Sequence, residues 1–343
     1  MKIVVLGAGS WGTALSLHLK RAGHQVSLWS HDPEKALTLD QTRENKALLP
    51  GILLPEEVKI TSDIQEALKE KEAVVFAVPS HVIRSTAVAA AKAWPPGAWA
   101  LSASKGLEET TFLRISEILK QSLRSETPIA VLSGPSHAEE LSRKMPTTLV
   151  AASPDKGLSK TVQDVFHSDY LRVYTSQDVP GVEWGGALKN VIAIAAGITD
   201  GLGLGDNAKA ALMTRGLHEM TRLGVALGAQ AKTFAGLAGM GDLFVTCTSR
   251  HSRNRLLGEK IGKGASPQEA LTEMVMVAEG VKTAPAVQGL ARRSGVEVPI
   301  AAEVHQVLFL RKNASEAAKS LLSRTAKPEQ DERDFEPSPD GPG

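Results

Sequence analysis

Across the first 176 residues the apolar positions follow two alternating patterns. Short apolar runs predict strands at "KIVVLG" (2–7), "QVSLWS" (25–30), "AVVFAV" (73–78), "AWALSAS" (98–104), "PIAVLSG" (128–134), "TTLVAAS" (147–153) and "LRVYTS" (171–176). Stretches such as "TALSLHLKRAG" (13–23), apolar at helical spacing, predict helices between them. Strands of this kind belong in a largely parallel sheet with helices on both faces. From about residue 178 the pattern changes, and "VEWGGALKNVIAIAAGITDG" and nearly everything to residue 324 read as helix. The expectation is a doubly wound α/β domain over 1–177 and an all-α domain over 178–324. Asp178 would cap the first helix of the second domain, with Pro180 in its first turn. The charged, proline- and glycine-rich stretch 325–343 predicts a disordered tail.

Between the first strand and the first helix, "GAGSWG" (7–12) fits G-x-G-x-x-G. Gly7 would form the tight turn, Gly9 would let a pyrophosphate approach the backbone, and Gly12 would let the helix pack on the strand. The N–H groups at Ser10 and Trp11 would then face the phosphates. A strand before it, a helix after it and a place in a β-α-β unit are the context in which this pattern binds a dinucleotide, which makes the domain Rossmann-type. The second strand ends in "SHDPEK" (30–35). Asp32 would suit a ribose 2′-OH and hence NAD, whereas His31 and Lys35 would suit the 2′-phosphate of NADP, so both cofactors stay open.

In an open α/β sheet ligands bind beyond the carboxyl ends of the strands. Three further strand ends carry polar groups there: Pro79 and Ser80 in "FAVPSHVIR", Lys105 in "SASKGLE", and Gly134, Ser136 and His137 in "LSGPSHAEE". Lys105 is the only cation directly following one of these strands, so its charge would point to the ligand side. In the helical half Lys189 precedes "VIAIAAGI", at the edge of a core where an unpaired charge costs roughly several kcal/mol. Either its stem packs and its head reaches water, or it has a partner, for which Asp242 in "GMGDL" is the candidate. "HSRNR" (251–255) groups Ser252, Arg253 and Asn254, donors suited to a phosphate if the string is not a solvated turn. Glu279 in "VAEG" is either a helix-surface acid or a cofactor contact.

Charge and cysteine content narrow the setting. Thirty-nine basic against 38 acidic residues give a net charge of +1, which supplies no field to gather nucleic acid or anionic lipid. A lone cysteine, Cys247, excludes a disulfide framework and a cysteine-rich zinc site and suits a reducing compartment. No apolar stretch has transmembrane length and no targeting segment is visible, so a cytoplasmic protein without membrane insertion is expected. "GEKIGKGAS" lacks the P-loop spacing and "HEMTR" lacks the second histidine of a zinc protease, so no metal is expected. A helical domain rich in alanine and glycine could pack on a second copy, which makes a homodimer one expectation.

Taken together, "GAGSWG", "FAVPSH", "SASKGLE", "LSGPSHAEE", "GGALKNVIAIAAGITDGLGLGDNAKAAL", "AGMGDL", "SRNR" and "VAEG" resemble bacterial-type NAD(P)-dependent glycerol-3-phosphate dehydrogenase. The resemblance implies a Rossmann domain followed by a helical substrate domain. It implies interconversion of dihydroxyacetone phosphate and sn-glycerol 3-phosphate with NAD or NADP, the product supplying phospholipid synthesis. Carried over, Lys189 would be the general acid/base, with Lys105 and Asp242 completing the catalytic set. Lys105, Gly134, Ser136, Lys189, Asp242, Ser252, Arg253 and Asn254 would line the substrate site. Ser10, Trp11, His31, Lys105, Ala138, Arg253, Val277 and Glu279 would contact the cofactor, beside the three glycines.

The chemistry suits these residues on its own terms. Hydride addition to a ketone builds negative charge on the carbonyl oxygen, which ammonium groups stabilise. In the reverse direction the acid/base lysine must be neutral, so its pKa should lie below the ordinary value of about 10.4. Burial and Lys105 push Lys189 that way, and Asp242 pushes the other. Two rivals remain. A β-hydroxyacid dehydrogenase relative would share the plan, but its G-x-x-x-K-x-x-x-N pattern meets Gly185, Lys189 and then Ala193. A non-catalytic dinucleotide sensor would have no use for a lysine in a buried helix.

Overall fold

The computed structural model describes residues 1–274, 278–326, 328 and 329. These divide into two compact units, the first made of 1–105 and 113–179 and the second of 106–112 together with the chain from 180.

The first unit is built on an eight-stranded sheet in the order β3-β2-β1-β4-β5-β6-β7-β8. The strands are β1 Lys2–Leu6, β2 Gln25–Trp29, β3 Lys59–Thr61, β4 Ala73–Phe76, β5 Trp99–Ser102, β6 Ile129–Ser133, β7 Thr147–Ala152 and β8 Leu171–Ser176. The chain starts in the middle, winds outward to β3, returns across β1 to β4 and continues the other way. That reversal beside β1 is the Rossmann switch point. β3 has no counterpart among the predicted runs. All pairs are parallel except β6 with β7, which is antiparallel with Val131 opposite Ala152. β7 and β8 run parallel to each other, so this edge of the sheet is reversed. Alternation along β1 explains the apolar runs: Ile3 and Val5 enter one buried cluster and Val4 and Leu6 another, so both faces of the sheet are covered.

The second unit contains no strand among its described residues. Its axis is the helix Val179–Gly201, in which nearly every position from Val182 to Ile198 is buried. A helix apolar all round needs partners all round. One of them, Arg253–Gly262, meets it backbone to backbone. A Cβ on Gly197 would lie 1.9 Å from the Arg255 carbonyl oxygen and one on Gly258 would lie 2.0 Å from that of Ile194, while Gly201 and Gly262 repeat the arrangement a turn later. Four of the small residues in which this domain is rich are used at this crossing. Segment 106–112 belongs with this unit because Leu107 and Phe112 pack in its core and Glu109 pairs with Lys282 at 2.8 Å. A linear reading of the sequence does not anticipate that excursion. Among the described residues no helix is long and apolar enough to cross a membrane.

Candidate functional site

In the first unit the glycine motif has the geometry its spacing asks for. Gly7, directly after β1, has φ +120°, a conformation that favours glycine, and its N–H donates to the Trp29 carbonyl at 2.9 Å. A Cβ on Gly12 would lie 1.8 Å from the Gly7 carbonyl oxygen, so only glycine lets the helix Ser10–Arg21 start against the turn. Around Gly9 a Cβ would meet nothing within 4 Å. That open side, at a helix start with no side-chain cap, is room for a pyrophosphate, and the motif therefore fits a dinucleotide. Ser10 is the first helical residue, and the Trp11 indole N–H donates to the Ala103 carbonyl at 3.0 Å, tying the helix start to the end of β5.

At the end of β2, His31 is exposed and its ring lies tilted 6.5 Å from that of Trp29. Asp32 accepts the N–H groups of Glu34 at 3.0 Å and Lys35 at 3.1 Å, so its carboxylate caps the helix Pro33–Thr42. The acid that favoured NAD in the sequence thus already has a structural task. Burial pushes the half-buried Lys35 below the ordinary lysine value.

β1, β4, β5 and β6 are neighbours running the same way, so their carboxyl ends share one edge. Beyond β5, Lys105 is half-buried and donates to the Gly134 carbonyl at 2.8 Å and the Ser136 hydroxyl at 3.2 Å. Ser136 in turn donates to the Gly134 carbonyl at 2.9 Å. Gly134 has φ +125°, which turns that carbonyl at the end of β6. Three predicted residues, Lys105, Gly134 and Ser136, are thereby brought together. Ala138, the first residue of the helix Ala138–Ser142, is buried next to them in sequence.

In the second unit Lys189 is 5% exposed and Asp242 1%. The lysine does not reach out to water. Its ammonium makes a close ion pair with the Asp242 carboxylate and donates to the Thr246 hydroxyl at 2.8 Å. The Thr246 hydroxyl donates to the Asp242 carbonyl at 2.6 Å, which leaves its oxygen to accept from lysine. Thr246 was missed in the sequence, although it lies four residues after Asp242 and so on the same helical face. Burial pushes the neighbouring Cys247 thiol up to about 12, so it stays protonated and inert.

The phosphate-like group divides. Ser252 is the N-cap of Arg253–Gly262, accepting the Arg255 N–H at 3.2 Å, and Arg253 is exposed at the first helical position. Asn254 points inward instead: its amide donates to the Asn190 side-chain oxygen at 2.9 Å and its oxygen accepts the Gly280 N–H at 2.9 Å. Glu279 is half-buried at the start of the helix Glu279–Ser294, and Val277 lies outside the described residues.

A Rossmann unit with a ligand-ready glycine turn, joined in one chain to a helical unit holding a buried ammonium, defines a two-domain nicotinamide-dependent oxidoreductase. Residues 2–159 match the model of the NAD-dependent glycerol-3-phosphate dehydrogenase N-terminus and 178–319 that of its C-terminus. The glycerol-3-phosphate dehydrogenase (NAD(P)+) of Citrifermentans bemidjiense is 50% identical over 96% of this chain and 98% of its own. That of Thermoanaerobacter sp. is 50% identical over 96% and 99%. The crystal structure of glycerol-3-phosphate dehydrogenase from Coxiella burnetii, 37% identical, superposes with a TM-score of 0.91 over 94% of this chain and 99% of that one. The chain belongs to the NAD(P)-dependent glycerol-3-phosphate dehydrogenase family.

Proposed function

We propose that the protein interconverts dihydroxyacetone phosphate and sn-glycerol 3-phosphate with NAD(P)H, and that the buried Lys189–Asp242–Thr246 centre is its proton-transfer group. The observation that carries this reading is a lysine held inside an apolar core by a carboxylate and a hydroxyl, in a chain of this family. The bound dinucleotide supplies hydride chemistry at its nicotinamide ring, and Gly7, Gly9 and Gly12 with Ser10 and Trp11 hold its pyrophosphate. Lys189 gives a proton from Nζ to the carbonyl oxygen as the alcohol forms, and takes it back in oxidation. Asp242 and Thr246 fix two of its donors, so the ammonium is oriented before substrate arrives. The proposed role of Lys105, anchored by Gly134 and Ser136, is a second catalytic cation. Arg253, at an exposed helix start, takes the substrate phosphate, which turns binding energy remote from the reacting carbon into orientation. The proposed roles of His31, Ala138 and Glu279 are cofactor contacts.

The product would supply phospholipid synthesis from the cytoplasm, and a homodimer is tested by light scattering at working concentration. The enzyme reading is tested by following the reduced-nicotinamide absorbance with dihydroxyacetone phosphate, NADH and NADPH in parallel, for wild type and Lys189→Ala. Turnover by wild type alone supports it. Tight dinucleotide binding with no turnover would move the reading to β-hydroxyacids or to a sensor.

A further inference from the structure

Asp242 owes its place to an unusual piece of backbone. After the short helix Ala231–Phe234 the chain restarts at Gly236, and Leu237–Gly241 forms a single π turn in which the Gly241 N–H donates to the Gly236 carbonyl at 3.1 Å. The helix Asp242–Thr248 follows without a break. A π turn takes in one residue more than an α turn, and one residue is about 100° of rotation in a helix. With an ordinary turn Asp242 would leave on a different side.

The turn is gripped from two directions. On one side a Cβ at Gly185 of the helix Val179–Gly201 would lie 2.4 Å from the Ala238 carbonyl oxygen and 3.4 Å from the Gly239 Cα. On the other, a Cβ at Gly239 would lie 2.2 Å from the Phe234 carbonyl oxygen. Gly185 precedes Lys189 by one turn on the same face, and Ala238 precedes Asp242 by the same four residues. The backbone contact and the ion pair are therefore successive rungs of one ladder.

We propose that Gly185 is a positioning residue for Asp242: its bare backbone seats the π turn, and the seated turn sets the carboxylate against Lys189. This rests on the reading of Lys189–Asp242 as the proton-transfer centre. It makes the geometry of the pair a property of the main chain, with the ion pair forming on a turn that is already in place.

The test is a double-mutant cycle on the full chain with Gly185→Ala and Asp242→Asn, followed by dihydroxyacetone phosphate reduction. Gly185→Ala should lower kcat by about tenfold or more, since an ångström of misplacement is enough for that, and leave the dinucleotide KM within about twofold. In the Asp242→Asn background it should add less than about twofold, because a residue acting through Asp242 has nothing left to disturb. A folded Gly185→Ala enzyme with wild-type kcat, or losses that multiply in the double variant, overturns the proposal. Wild-type kcat in Asp242→Asn alone overturns the proton-transfer reading and the positioning role with it. Should Gly185→Ala fail to fold, hydrogen exchange decides. The Gly241 amide should be as protected in Asp242→Asn as in wild type, whereas exchange as fast as an exposed loop would show that the ion pair holds the turn, and would overturn the proposal.

Discussion

At the strand ends of the first unit the polar contacts end on main-chain carbonyls: the Gly7 N–H on Trp29, the Trp11 indole on Ala103, the Lys105 ammonium on Gly134. Around Lys189 in the second unit side chain meets side chain, across 53 residues of sequence to Asp242 and 57 to Thr246. A pyrophosphate is recognised by N–H groups that any residue type supplies, so that surface needs bends more than particular side chains. A proton donor needs a particular titratable group, and once buried it must be matched by an equally particular partner. The first region should therefore tolerate change in side chains better than change in backbone, whereas the second should tolerate loss of neither partner side chain.

The largest effect should come from breaking the second kind of contact. Lys189→Ala should cut kcat by about 10²–10⁴. It also strands the Asp242 carboxylate, so the melting temperature should fall; adding Asp242→Asn should restore the melting temperature but not the rate. If the single variant turned over normally, the contrast between the regions would be gone.

Each unit also buries a titratable group, and the two have opposite pH signatures. In the first, His18 is 1% exposed, with Nε2–H donating to the Phe166 carbonyl and Nδ1 accepting from the Tyr170 hydroxyl, both at 2.9 Å. Burial pushes it from 6.5 down to about 4, against the pull of the Phe166 carbonyl. The unfolded chain binds its proton first, so this contribution is intact above pH 6.5 and is lost as pH falls toward 4. In the second unit Glu219 accepts the N–H groups of Ile300 at 2.8 Å and Ala301 at 2.9 Å. Burial raises it from 4.5 to about 7, outweighing those two bonds and nearby Arg222 and Arg324. Here the folded state holds the proton longer, so the contribution is intact below pH 4.5 and is lost as pH rises toward 7. The opposing slopes should leave the wild-type melting temperature nearly flat from pH 4.5 to 6.5. Glu219→Gln should expose the acid-side loss, worth about 3 kcal/mol when complete, and His18→Gln the loss on raising pH.

Smaller effects belong to the strand ends. Lys105→Met should keep the melting temperature within a few degrees and lower kcat/KM by about tenfold, as expected for one charge-assisted contact. An unchanged kcat/KM would make Lys105 a brace for Gly134 alone. His31→Glu should reduce kcat/KM several-fold with NADPH and less with NADH, because a carboxylate repels a 2′-phosphate and can bond a ribose hydroxyl.

The same contrast governs what the sequence discloses. Gly7, Gly9 and Gly12 are legible because a local turn needs them at fixed spacing. Lys189 is legible because a charge beside eight apolar residues demands an explanation. β3 is not legible: an exposed Lys59 followed by two half-buried residues carries no period to detect. Nor does the reversal of β7 and β8 show, because the apolar run of β7 and the one-face alternation of β8 each read the same in either direction. Asn254 reads as a phosphate donor from its neighbours, yet it faces Asn190, 64 residues away, a pairing no local pattern encodes. The π turn is hidden for a related reason, since its seat on Gly185 is a contact between distant segments.

For anyone wishing to re-engineer substrate choice, the crossing at Gly197, Gly201, Gly258 and Gly262 sets the rules. No rotamer there can yield, so the two helices form a chassis to which added bulk cannot be fitted. Arg253, one turn from that crossing yet exposed, can be changed while the chassis stays fixed.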